Sequence, residues 1–149
     1  MAKYKLDIPL LTDFQLIGIV TPLPTYRVAY FLNRELKLSL QRKEDWTIGF
    51  GQRKEKYRYP LYYEYLPLDK LNIYLLGNRA INSGNGLIPE HNYIDFLLMV
   101  KGVEGREFIR THFATLAAFT HFQTTIKIDV ERLSSIENII IDDEIIQQD

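Results

Sequence analysis

The sequence predicts an α+β fold, a mainly antiparallel sheet with two helices packed on one face. Three observations carry this. Short apolar runs rich in β-branched and aromatic residues recur along the chain. Turn residues separate them at hairpin-like spacing, and two stretches repeat apolar residues at helical spacing instead. The order is βα, then several strands, then βαβ, which fits a βαββαβ core with an inserted hairpin.

Taken in order, FQLIGIV (14–20) is a β-rich apolar run closed by TPLP, a buried strand and turn. Thr25 is placed to cap the following helix, its hydroxyl accepting an orphan N–H. Val28, Ala29, Leu32 and Leu36 form that helix's apolar stripe, while Arg27, Arg34 and Lys37 fall away from it. LKLSLQR (36–42) alternates and begins a second strand as the helix ends, and WTIGFG (46–51) reads as a strand end with a glycine-rich turn. YRYPLYYEYL (57–66) puts Tyr57, Tyr59, Leu61, Tyr63 and Tyr65 on one face. Pro60 has no N–H for a ladder, so the first half of this strand belongs at a sheet edge. PLDK turns the chain into LNIYLLGN (71–78), completing a hairpin.

GNRAINSGNGLIPE (77–90) is the longest loop, its glycines and asparagines tolerant of positive φ. YIDFLLMV (93–100) is almost continuously apolar, as a strand covered on both faces would be. A helix starts near Arg106 with Phe108, Ile109, Phe113 and Leu116 as its core stripe, and HFQTTIKIDV (121–130) returns as an alternating strand. A short amphipathic piece, VERLSSIENIII, precedes an acidic end expected to fray over about 142–149.

The 149 residues suit a single domain with a hydrophobic core of its own. With 46% apolar and 25% charged residues the composition is that of a globular protein. Cysteine is absent, which removes disulfides, thiolate nucleophiles and cysteine metal sites and fits a reducing compartment. Asp7, Asp13 and Gln15 interrupt any secretory apolar core, and no run approaches the roughly 20 residues of a membrane span. A cytoplasmic setting without membrane attachment is the expectation. The net charge of −1 hides an asymmetry: Arg42, Lys43, Arg53, Lys54, Lys56 and Arg58 crowd 41–60, whereas acidic residues dominate from Asp129 onward.

At 86–100 the run Ile88-Pro89-Glu90, three intervening residues, then Ile94-Asp95-Phe96 resembles the motif of the IPExxxVDY family of small Bacteroidetes proteins. Ile94 stands for the family's valine and Phe96 for its tyrosine, a change that removes a hydroxyl. TPLPTYRVAYFLNREL is similar to the family's first helix, and DVERLSSIENIII to its C-terminal pattern. The resemblance implies a cytoplasmic setting and points to no particular activity.

Glu90, His91 and Asp95 admit two readings. Two carboxylates and an imidazole that converge can do acid/base chemistry, and a small enzyme built on them is the alternative function. The preferred reading is a structural joint, with Asp95 a buried carboxylate paired with Arg79 or with loop N–H groups around 82–86. Glu90 then holds the same loop through backbone N–H groups, and Asp95→Ala costs roughly 3–5 kcal/mol if the pair is buried. The histidines at 91, 112 and 121 lack metal-binding spacing, so no metal and no cofactor is expected; His112 reads as a core histidine. GFG (49–51) and GNG (84–86) match no nucleotide-binding pattern.

A second candidate is the basic and aromatic hairpin, with Trp46, Arg53, Lys54, Lys56, Arg58 and Tyr62 as its binding surface. Interleaved cations and rings suit a protein interface or, less specifically, single-stranded RNA. Such a hairpin can also be plain structure, its rings in the core and its lysines deterring edge pairing. The function expected is therefore a non-catalytic binding or adaptor protein engaging another protein or a second copy of itself.

Overall fold

The computed structural model describes residues 14–49 and 56–139. They form β1 (Phe14–Val20), α1 (Thr25–Leu36), β2 (Gln41–Gly49), β3 (Lys56–Leu66), β4 (Leu71–Gly77), β5 (Phe96–Lys101), α2 (Gly105–Ala118) and β6 (Thr124–Ile128). The six strands make one sheet in the order β2-β3-β4-β5-β1-β6, and every neighbouring pair is antiparallel. This is the α+β fold read from the sequence.

Both helices lie on one face. Val28, Ala29, Leu32 and Leu36 of α1 and Ile109 and Leu116 of α2 pack on Ile17, Ile19, Ile73, Leu75, Leu98 and Val100. The other face carries Leu16, Tyr59, Leu61, Tyr63, Tyr74, Leu76, Leu97 and Met99, and among the described residues no α-helix covers it. Its cover is chain without regular structure: Ala80, Leu87, Ile88 and Ile94 from the β4–β5 connection, and Leu133 and Ile139 after β6. Residues Val130–Arg132 and Ile136–Ile139 there form single 3-10 turns. Burial on both faces explains why β4 and β5 read as unbroken apolar runs.

Several local expectations change. Thr25 does not cap α1; it is the first helical residue, and the Pro24 carbonyl accepts from Arg27 N at 3.0 Å and Val28 N at 3.1 Å. The helix stops at Lys37, which takes a left-handed conformation with φ 57. The Asn33 side chain then brackets Leu40, accepting from its N–H at 2.8 Å and donating to its carbonyl at 3.3 Å. The strand read as beginning at 36–42 starts only at Gln41 and runs as β2 to Gly49, with a bulge between Lys43 and Trp46. The fifth strand starts at Phe96 rather than 93.

Pro60 explains that bulge. It stands opposite the irregular stretch of β2, where no ladder bond is asked of it, and just beyond Leu61, where the β4 ladder begins. The first half of β3 therefore has a free side, as predicted, although β2 and not β3 ends the sheet. The loop fills that side. Ile81 N donates to Arg58 O at 2.8 Å, and the Asn82 amide accepts from Arg58 N at 3.2 Å and donates to Lys56 O at 2.9 Å. Gly77 is required beside it, since a Cβ there would stand 2.8 Å from the Pro60 ring. Among the described residues no helix is long and apolar enough to cross a membrane.

Candidate functional site

The β4–β5 connection is organised by a residue that sequence reasoning passed over. Asn78 follows β4 and is fully buried. Its side-chain amide donates to Ile94 O at 2.8 Å and His91 O at 3.2 Å, and its side-chain oxygen accepts from Ile88 N at 2.9 Å. Its own N–H reaches Asp95 O at 2.9 Å, and its carbonyl accepts from Leu87 N at 2.7 Å. One side chain thus satisfies backbone groups at three points of a loop that has no ladder of its own. The only sequence signal is an asparagine directly after a strand-ending glycine.

The motif residues hang on this hub. Pro89, Glu90 and His91 form a 3-10 turn, which breaks the extended run. Ile88 and Ile94 are fully buried on the loop-covered face, whereas Phe96 is buried on the helix face. Ile94 occupies the space above Gly18, where an added Cβ would meet its Cδ1 at 2.5 Å. The glycine in the first strand and the isoleucine of the motif therefore belong to one contact.

Asp95 lies at the mouth of β5. Its N–H donates to Ile19 O at 3.0 Å, its Oδ2 accepts from Thr21 N at 2.8 Å, and its Oδ1 meets Arg79 Nη1 at 2.5 Å. Arg79 Nη2 also donates to Asn92 O at 2.9 Å. The pairing of Asp95 with Arg79 is present, but the expectation of a buried carboxylate is corrected: the two side chains are 25% and 43% exposed. Its backbone donor is Thr21 of the β1–α1 turn, not the N–H groups of 82–86, so Asp95 joins β5 to β1 across the sheet end. The pair borders an open cleft of about 360 Å³ whose walls include Leu23, Thr25, Pro60, Ile81 and Phe96.

Glu90 turns elsewhere. Its carboxylate accepts from Ser134 Oγ at 2.8 Å, Ser135 N at 3.0 Å and Ser135 Oγ at 2.5 Å. It therefore latches the C-terminal segment and not its own loop, which corrects the second half of the joint reading. Partial desolvation favours the neutral acid, but the Ser135 hydroxyl, Glu90's own N–H, the Ser134 hydroxyl and the Ser135 N–H outweigh it. Together they hold the carboxyl at about 2, well below its ordinary 4.5. His91 does neither job; its Nδ1 is 3.3 Å from the Tyr93 hydroxyl and its ring meets Tyr93 edge-on. Glu90, His91 and Asp95 thus face three different sets of neighbours.

His112 is half-buried on α2 against Phe108, and desolvation lowers its pKa. It borders a shallow depression of about 180 Å³ with Asp69, Glu104 and Glu107. Among the described residues no three His, Asp or Glu side chains stand together as a metal site would need.

The hairpin distributes its residues between layers. Trp46 is half-buried against the loop-covered core, and its indole N–H donates to Asn138 O at 2.7 Å, so it is not an exposed recognition ring. Tyr62 points to the opposite face, with the Arg42 guanidinium 5.8 Å from its ring. Lys56 and Arg58 are exposed, Arg58 lying 3.8 Å from Asp45, which Arg42 also binds. Arg53 and Lys54 fall outside the described residues.

The exposed rings are on α1 instead. Tyr26 and Tyr30 are 67% and 59% exposed, one turn apart and opposite the Val28–Leu32 stripe. Arg34 continues the row one turn on, 5.8 Å from the Tyr30 ring, and Arg27 lies beside it, 5.4 Å from Phe31. Spacing alone gives this face: Tyr26, Tyr30 and Arg34 repeat every four residues out of phase with the apolar stripe. The Thr25 end of α1 and Pro60 of the hairpin line the same cleft.

No protein-family model matches the chain, and no curated protein matches it.

Proposed function

We propose that the chain is a cytoplasmic, non-catalytic binding protein of the IPExxxVDY type, which presents an aromatic and cationic surface to an acidic protein partner. The observation that carries this reading is the pair Tyr26 and Tyr30, two large rings left in solvent on a helix whose other face is fully packed. Tyrosine and arginine are, with tryptophan, the side chains enriched at interface hot spots, tyrosine because its rigid ring buries large area at small entropic cost. Glu35 is the one anion of α1 against Arg27 and Arg34, with Lys37 just beyond, so the charge favours an acidic counterpart. Lys56 and Arg58 of the hairpin extend the same sign. In this reading Glu90, Asp95 and Arg79 are anchors; their divergent placement gives an acid/base site no support.

The test is affinity purification of the tagged protein from its host beside Tyr26→Ala/Tyr30→Ala and Lys56→Glu/Arg58→Glu variants. The tyrosine variant is expected to melt like the parent and to lose the co-purifying protein; the charge variant is expected to weaken its retention. Identical recovery by all three sinks the reading. Recovery of RNA that is shed at high salt, seen as a fall in the absorbance ratio, replaces the protein partner with single-stranded RNA.

A further inference from the structure

We propose that two copies of this chain associate through β6, pairing antiparallel about a two-fold axis at Ile126 to continue one sheet across both. The two ends of the sheet are built differently. The β2 end is guarded: a bulge interrupts it, and Arg42, Lys43, Glu44 and Asp45 fill the strand with charge. The β6 end has none of these devices. Its sequence, TTIKI, is β-branched at four of five positions, its ladder with β1 runs without a register shift, and it contains no proline. Lys127, its one charge, does not guard the edge; its ammonium lies over the Phe113 ring on the helix face, 4.9 Å from the centroid. Among the described residues β6 pairs with β1 alone.

A second observation comes from α2. The Phe113–Lys127 contact fixes which flank of the helix stands over β6, and Ala117, one turn on from Phe113, shares that flank. Earlier on this flank stand Arg106 and Arg110, the latter paired with Glu107, but past Phe113 the flank carries only Ala114 and Ala117, both small and exposed. Small uncharged side chains let a second helix approach closely. An unguarded edge beside a helix end of small residues leaves room for a second copy, as a self-complementary interface requires.

The register follows from charge. With the axis at Ile126 all five residues pair: Thr124 opposes Ile128 of the second copy, Thr125 opposes Lys127, and Ile126 meets its own counterpart. Lys127 then never faces Lys127, whereas an axis one residue further on would place the two ammonium groups directly opposite each other. Ile126, half-buried at the margin of the loop-covered core, becomes the centre of an apolar contact joining the two cores.

The absence of cysteine makes the test clean. Directly opposed residues of an antiparallel pair stand about 5 Å apart at Cα, within disulfide reach, whereas the two copies of residue 124 stand about 13 Å apart along the strands. Under mild oxidation Ile126→Cys is expected to give a covalent dimer and Thr124→Cys is not. By light scattering the parent is expected at twice the chain mass, and Ala117→Arg, on an exposed position, at the mass of one chain with an unchanged circular dichroism spectrum. A parent that stays at one chain mass at its highest soluble concentration overturns the proposal. So does a dimer that Ala117→Arg leaves intact, or one that Thr124→Cys cross-links as well as Ile126→Cys.

Discussion

The two faces of the sheet are covered by different means. On one, α1 and α2 satisfy their own backbone and bring only apolar stripes to Ile17, Ile19, Leu75 and Leu98. On the other, residues 78–95 and 130–139 have no ladder, so each backbone group that goes under cover needs a partner from elsewhere. Turns within the loop supply some of them, and single side chains supply the rest: Asn78 for Ile88, His91 and Ile94, and Glu90 for Ser135, while Asp95 ties the loop's end to Thr21. Trp46 and Asn138 complete the set, the indole binding Asn138 O and the Asn138 amide binding Leu87 O at 2.9 Å. A helical cover is held by area, and an irregular cover by a few polar side chains at fixed positions.

That contrast can be broken by mutation. The largest effect belongs to Asn78→Ala, which leaves the N–H of Ile88 buried without a partner and the carbonyl of Ile94 with only a long 3.5 Å contact from Arg79, at about 4 kcal/mol. A loss below that of an ordinary surface change, measured by denaturant unfolding, would show that the irregular cover does not depend on its hub. On the helix face Leu32→Ala is expected to cost about 3 kcal/mol through the cavity it opens. The same change made in an Asn78→Ala background should add nearly fully, since the sheet separates the two sites; strong coupling would erase the distinction between the faces.

Asp95→Ala comes next, at about 2 kcal/mol and below the 3–5 expected of a buried pair, because both partners are part-exposed and water replaces some of what is lost. Asp95→Asn, which keeps an acceptor for Thr21 N–H, should recover about half of that loss. The smallest effect is the Glu90 latch. Its carboxyl is held at about 2, below the ordinary 4.5, so its contribution is complete above the ordinary value and disappears as pH falls from about 4.5 to 2. Glu90→Gln should cost only about 1 kcal/mol at neutral pH, since Glu90 is exposed, and nothing near pH 2. A parent-to-variant difference in melting that does not change over that range would mean that ionisation plays no part in the latch.

The same division decides what the sequence discloses. The α1 stripe and the alternation of β3 are periodic and β5 is an unbroken apolar run, and those patterns placed them. The loop-covered face has no period. Asn78 and Asn82 are turn-forming residues by type, and nothing local says that one is buried under the sheet while the other stands in for a missing strand. Arg79 is legible as one of two candidate partners of Asp95, because a carboxylate set among apolar neighbours needs a cation or N–H groups, but the pair's exposure depends on where the sheet ends, which is a tertiary fact. Ser134 and Ser135 lie more than forty residues from Glu90 and carried no signal at all. Trp46 misled by type: an indole in a basic stretch resembles a recognition ring, yet its N–H is taken by Asn138.

The place of β1 in the sheet bears on how the chain assembles. Its partners, β5 at 96–101 and β6 at 124–128, come late in the sequence, while β2, β3 and β4 are joined by local connections. On a growing chain the meander from 41 to 77 can pair as it emerges, but FQLIGIV must wait with both edges open until most of the chain has been made. The strand written first is therefore among the last to be secured, and over that interval it is the segment most exposed to pairing with another nascent chain.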